Sequence, residues 1–149
     1  MSINQFNLRV YGVLVNDKKE VLLSDEFRFG RFFTKFPGGG IEFGEGIEDA
    51  LKREFQEEVK AEVISSSFLY VNEFFQASKF QEEHQIISFY YLVNVADINQ
   101  LGTEEYSTPF YSEGEKQRWV PIEDLIERHM SFPIDKKLVG VLQEKYGLI

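Results

Sequence analysis

"FPGGGIEFGEGIEDALKREFQEEVKA", residues 36–61, places three glycines directly ahead of a helix-length run crowded with glutamates. At about 100° per residue, Ile47, Ala50, Leu51, Phe55 and Val59 share one arc of a helix predicted over 46–60. Asp49, Lys52, Gln56 and Lys60 lie opposite, as a solvated face requires. Glu54 and Glu58 instead fall inside the apolar arc, with Glu57 beside it. Carboxylates turned toward the protein body are costly unless they are protonated, paired or bound to metal. Arg53 is the one cation close in sequence, and its (i, i+4) partner is Glu57. A divalent metal site is the simplest remedy for the remaining charge. Gly38, Gly39 and Gly40 allow close approach that a Cβ would block. They read either as a tight turn or as a loop that offers carbonyl oxygens to a metal or space to a phosphate.

The rest of the chain narrows the chemistry. Its 149 residues, 43% hydrophobic and 15% aromatic, suit one packed domain over 1–149. With no cysteine and only His84 and His129, thiolate and histidine-built metal sites drop out. Any metal should then be a hard cation held by oxygen: magnesium, manganese or calcium. A net charge of −9 argues against a nucleic-acid polymer or an anionic membrane as partner. It permits a small anionic substrate if cations bridge the repulsion. No apolar run is long enough to span a bilayer, and the first residues lack signal-peptide character, so a cytoplasmic location is expected.

Working outward from the glutamate helix, "LRVYGVLV" (8–15) and "EVLLS" (20–24) flank a polar tip and read as a β-hairpin. "DEFRFGRFFTKF" (25–36) reads as a loop beside a site. "SFLYVNEFF" (67–75) and "QIISFYYLVNV" (85–95) have the composition of strands. Residues 96–117 form a long aperiodic stretch, of the kind that serves as a lid or binding loop. "RWVP" (118–121) reads as a short strand and "IEDLIERHM" (122–130) as a short helix. The final "IDKKLVGVLQEKYG" reads as an amphipathic helix with Ile134, Leu138, Val141 and Leu142 on one side and Gly147 beyond its end. The irregular alternation suggests an α/β (α+β) fold with a mixed sheet covered by helices.

These residues resemble the box of the Nudix hydrolases: Gly39, then Glu45, then Arg53-Glu54-Phe55-Gln56-Glu57-Glu58-Val59-Lys60-Ala61. Every charged position of that long motif is present. Lys60 departs from the usual glycine and Ala61 is small for the apolar site, so the helix must either end on a left-handed lysine or end differently. The "FPGG" entry, the hairpin before it, the strand with His84 and Ile86 and the "RWVPIEDL" segment extend the resemblance over most of the chain. It implies the Nudix fold, a mixed β-sheet sandwiched between α-helices with a loop-helix-loop motif. It also implies metal-dependent hydrolysis of a pyrophosphate bond by water attack on phosphorus. The substrate would be a nucleoside diphosphate derivative: a nucleoside triphosphate, a nucleotide sugar or ADP-ribose.

By the same resemblance, Glu54, Glu57 and Glu58 would hold Mg2+ or Mn2+ with the Gly39 carbonyl as a further ligand. Arg53 would orient Glu57, and Glu45 would brace the loop. Either Glu58 or a carboxylate of the long stretch, Glu113 or Glu115, would be the general base. Arg28 and Arg31 are the candidates for meeting phosphate, and Phe36, Gly38 and His84 are further substrate-binding candidates. A homodimer is open, since relatives often dimerise. The alternative of another class is a catalytically inactive nucleotide-binding regulatory module, which would be expected to have lost carboxylates that this box keeps. A calcium-binding structural domain lacks the Asp/Asn loop of an EF-hand.

Overall fold

The computed structural model describes residues 2–101 and 103–147. Among the described residues, seven strands form two sheets and two α-helices flank them: β1 (Gln5–Leu14), β2 (Glu20–Arg28), β3 (Arg31–Lys35), β4 (Gly38–Gly40), α1 (Ile47–Glu58), β5 (Val63–Val71), β6 (His84–Val95), β7 (Gly114–Pro121) and α2 (Pro133–Lys145). One sheet is mixed, in the order β4-β1-β6-β5, with β1 and β6 parallel. The other is antiparallel, in the order β3-β2-β7.

Alternation along β1 builds both cores. Val10 and Leu14 face α1 and pack with Leu22, Ala50, Leu51 and Phe55. Tyr11 and Val13 face the other way and pack with Phe36, Tyr90 and the α2 residues Ile134, Leu138, Val139 and Leu142. The two helices thus cover opposite faces of β1, as expected of the fold class. Gly12 lies on the α1 side, where a Cβ would run into the Phe55 ring.

Several sequence expectations change at this level. The 16–19 tip is present, with Asn16 accepting from the Lys18 and Glu20 amides. β1 and β2 nevertheless part after the Val15–Val21 bridge and join different sheets. The expected loop at 25–36 is a second hairpin. β2 continues to Arg28, Phe29 and Gly30 both take positive φ (57° and 72°), and β3 follows. A two-residue turn with both φ positive matches strand twist, and here it lacks the usual Asn-Gly signature. The three glycines are likewise not a turn but the short strand β4, paired with Arg9, Val10 and Tyr11.

β5 covers 63–71 rather than 67–75. It ends where Asn72 turns inward to accept the Ser88 amide and donate to the carbonyls of Phe74 and Ile86. β7 starts at Gly114, four residues earlier than read, because its polar positions pair with β2. The expected helix at 122–130 is two 3-10 turns, Ile122–Asp124 and Glu127–His129.

α1 ends as the lysine at its terminus requires. Val59 and Ala61 amides both reach the Phe55 carbonyl, and Lys60 takes the left-handed conformation at φ 60°. That conformation costs an L residue on the order of 1–2 kcal/mol and costs glycine almost nothing. Lys60→Gly is therefore expected to stabilise the chain by about 1 kcal/mol, read as a rise in Tm of roughly 2–4 °C for a chain of this size.

Candidate functional site

Arg53 is the hub of the box. Its Nε donates to Glu45 Oε2 at 2.6 Å, and its Nη2 to Glu45 Oε1 at 2.8 Å and to the Gly40 carbonyl at 2.9 Å. Its Nη1 reaches Glu54 at 2.9 Å and Glu57 at 3.4 Å. The guanidinium fork holds the Glu45 carboxyl down to about 2, and Glu45 Oε1 also accepts the Glu42 amide. Glu54 lies directly on Gly39, where a Cβ would come within 2.6 Å of Oε1. Glu57 is the open member of the box, its side chain 58% exposed.

Glu58 turns toward the body of the protein, its side chain 14% exposed. It accepts the Gly38 amide at 2.9 Å, and both its oxygens accept from Lys35 Nζ, at 3.2 and 3.3 Å. Lys35 comes from β3, in register with Ser24, and Glu26 and Glu115 are a cross-strand pair on the same face. Carboxylate oxygens of Glu26, Glu58 and Glu115 lie within 4.8 Å of one another. Lys35 also reaches Glu26 at 3.5 Å, Arg28 reaches Glu26 at 3.2 Å, and the Ser24 hydroxyl donates to Glu115 at 2.9 Å.

The electrostatics follow from the count. Burial, only partly offset by Lys35, pushes the Glu58 carboxyl up to about 7, and nearby Glu115 adds to the rise. Glu115 is pushed up for the same first reason, burial. Burial would lower the Lys35 ammonium, but Glu58 and Glu26 outweigh it and its pKa rises. One ammonium among three carboxylates feels several attractions, whereas the carboxylates repel one another and share Lys35, with Arg28 a second partner for Glu26 alone at salt-bridge distance.

Beside this cluster opens a cavity of about 680 Å³. Arg9, Arg28, Arg31 and Lys35 line it together with Phe29, Phe33, Phe80 and Phe132, and Tyr90 and Asp135 belong to its lining as well. The Arg31 guanidinium stacks on Phe80 at 4.5 Å from the ring centroid. Tyr90 donates a hydrogen bond to Asp135, which is 2% exposed.

Burial pushes the Asp135 carboxyl up to about 7, against the pull of the Tyr90 hydrogen bond and of Lys35 and Arg9. Between its ordinary pKa near 4 and about 7, the folded state binds a proton that the unfolded state has released, so stability falls as pH rises through that window. Asp135→Asn is neutral throughout and can still accept from Tyr90. Relative to the parent, the variant is expected to gain up to about 4 kcal/mol between pH 4 and pH 8, read by thermal melts across pH.

Among the sequence candidates, the structure joins Glu45, Glu54 and Glu57 through Arg53, brings Glu58 close to Glu115, and bonds Gly38 to Glu58. Gly38 turns its carbonyl to Lys35 at 3.1 Å, whereas Gly39 sits in register with Val10. Arg28 and Arg31 line the cavity. Phe36 is fully buried against Tyr90 in the α2-side core, and Glu113 is exposed and outside the carboxylate cluster. His84 opens β6 opposite Gln5, with its Nδ1 buried and unpartnered; its carbonyl accepts the amide of Ser78 in the cavity lining, but His84 does not line the cavity itself.

Arg53 is not the only cation near the helix carboxylates, since Lys35 pairs with Glu58. Lys35, Glu26, Arg9 and Asp135 escaped the sequence reading. A charged residue inside "LRVYGVLV" was a usable signal for Arg9. The others depend on a hairpin register and a helix N-terminus that only the fold supplies.

The NUDIX domain model matches residues 5–140, and the chain belongs to that family. It is a pyrophosphohydrolase acting on acid anhydrides, in a family that acts on small nucleotide substrates and generally uses divalent metal ions. An 8-oxo-dGTP diphosphatase of Haemophilus influenzae is 29% identical over 143 residues, covering 93% of both chains. Among solved structures, a MutT from a study of Aliivibrio salmonicida and Vibrio cholerae superposes with a TM-score of 0.68 at 24% identity, covering 95% of this chain and 99% of that one. A NUDIX hydrolase from Nitrosomonas europaea gives 0.71 at 17% identity, covering 95% and 90%. These structural likenesses establish the shared fold. Among the described residues, no helix is long and apolar enough to cross a membrane.

Proposed function

We propose that this chain hydrolyses the phosphoanhydride of a nucleoside triphosphate with the help of Mg2+ or Mn2+, the nucleoside resting in the 680 Å³ cavity. The carrying observation is the continuity of that cavity with the carboxylate cluster through Lys35, which belongs to both. Four cationic side chains suit a polyphosphate, and the phenylalanines offer faces for a base. The curated relative's name, 8-oxo-dGTP diphosphatase, points to the same substrate class.

The donor set suits a hard divalent cation: oxygen only, with more carboxylates than cations to balance them and two of those carboxyls pushed upward by burial first and by neighbouring carboxylates second. Glu26, Glu58 and Glu115, with the exposed Glu57 and with Glu54 beside them, would hold it. Bound there, it would neutralise phosphate charge and lower the pKa of water.

The chain's own residues do the rest. Arg9, Arg28 and Arg31 draw the polyphosphate along the cavity wall, while Arg53 fixes Glu45, Glu54 and the Gly40 carbonyl so that the box loop keeps its shape against α1. Glu58, largely enclosed and held by the Gly38 amide, takes the proton of the attacking water in this reading. Asp135 and Tyr90, bonded to each other, belong to the cavity wall.

A panel of nucleoside triphosphates, nucleotide sugars and ADP-ribose, assayed with magnesium and with manganese and resolved by mass, tests this reading. Nucleoside monophosphate and pyrophosphate are the expected products from the triphosphates. Tight nucleotide binding without turnover under either metal would instead favour the regulatory binding module.

A further inference from the structure

The Lys35 ammonium sits in a shell made wholly of oxygen. Its neighbours are both Glu58 oxygens at 3.2 and 3.3 Å, the Gly38 carbonyl at 3.1 Å, the Phe36 carbonyl at 3.4 Å and Glu26 Oε2 at 3.5 Å. Two carboxylates and two backbone carbonyls converging on one point are the ligand chemistry of a hard cation. Here the cation is covalently attached: the lysine side chain is 6% exposed, and its Nζ lies 5.9 Å from the Tyr11 ring centroid. The strand register that delivers it from β3 is fixed by pairing with β2, so the charge cannot diffuse away.

We propose that Lys35 is a built-in cation of the hydrolytic site, filling the position between Glu58 and the Gly38 carbonyl that a divalent ion would otherwise take. This rests on the metal-dependent reading above and extends it. Glu115, bonded to Ser24 and Gln117 and not to Lys35, keeps its side of the cluster open for a divalent ion shared with Glu26 and Glu58. The free protein therefore holds one divalent ion fewer than its box carboxylates could support. Lys35 is then a positioning residue. It holds Glu58 and the glycine strand in place before substrate arrives, and it supplies a permanent charge that needs no metal uptake.

The test is a count of bound Mn2+ in the absence of nucleotide, by loss of the free-ion electron paramagnetic resonance signal and by calorimetry. It compares the unmutated chain with Lys35→Met and Lys35→Arg, each checked for folding by circular dichroism. Lys35→Met, which keeps the stem and removes the charge, is expected to bind one more Mn2+ per chain, and Lys35→Arg to keep the parental count. Equal counts and affinities in the parent and a folded Lys35→Met would overturn the proposal.

Should Lys35→Met not fold, the unmutated chain decides. Crystals soaked in Mn2+ are expected to show anomalous density near Glu115 with the ammonium still in place. Anomalous density bonded to the Gly38 carbonyl oxygen would overturn the proposal. A parent that binds no Mn2+ at all, while Lys35→Met binds one, would sink the metal-dependent reading and leave the role of Lys35 standing.

Discussion

Glu58→Gln is expected to lower kcat by roughly 10²- to 10⁴-fold while the protein stays folded, the range that a positioned general base commonly contributes. The amide oxygen of glutamine can still accept the Gly38 amide, and Lys35 keeps Glu26 as a partner, so the local frame survives. What disappears is the box carboxylate that meets both the cluster and the β3 lysine. Circular dichroism and a melting temperature within a few degrees of the parent would separate lost chemistry from lost structure. A Glu58→Gln protein whose kcat stays within tenfold of the parent would refute the base assignment, and Glu115→Gln would become the variant to measure.

That contrast between chemistry and frame bears on what could be read without a structure. The glutamate helix was legible because its periodicity is strong and its acidic residues fall on the wrong face for mere solvation. The structure starts and ends it within about two residues of the expected limits. Spacing paired Arg53 with Glu57, whereas the structure gives its shortest contacts to Glu45 and leaves Glu57 at 3.4 Å. The other half of the site was hidden by a single turn. Phe29 and Gly30 reverse the chain in two residues, but a phenylalanine in the left-handed region gives no warning of it.

Read as a loop, 25–36 leaves Glu26 and Lys35 without a common face. Read as a hairpin, it places them beside Glu115 and against Glu58. Asp135 was hidden for a different reason. It looks like an ordinary acidic residue in the first turn of a helix, and only tertiary packing buries it beneath Tyr90. Residues 103–113 kept their irregular character, but their anchors, such as Tyr106 on Asp25, join positions remote in sequence.

Arg53→Ala is expected to be the most damaging single change for stability and function together. The guanidinium makes a forked contact with Glu45 and reaches Glu54, Glu57 and the Gly40 carbonyl, with its side chain only 24% exposed. Truncation leaves Glu54, 12% exposed and pressed on Gly39, without its salt-bridge partner among the described residues, and leaves the Gly40 carbonyl without its Arg53 donor. Losing hydrogen bonds to charged groups costs about 1.5–3 kcal/mol even where neighbours relax, and loosening groups that orient a metal site commonly costs about 10- to 100-fold in activity or metal affinity. Denaturant midpoints and Mn2+ titration measure the two losses separately. Arg53→Lys sharpens the test, because a lysine restores the charge without the planar fork that engages Glu45 and Gly40 at once. Were charge alone sufficient, the Arg53→Lys variant would recover most of the activity. If the fork is what matters, it should stay close to the alanine variant in kcat while regaining part of its stability.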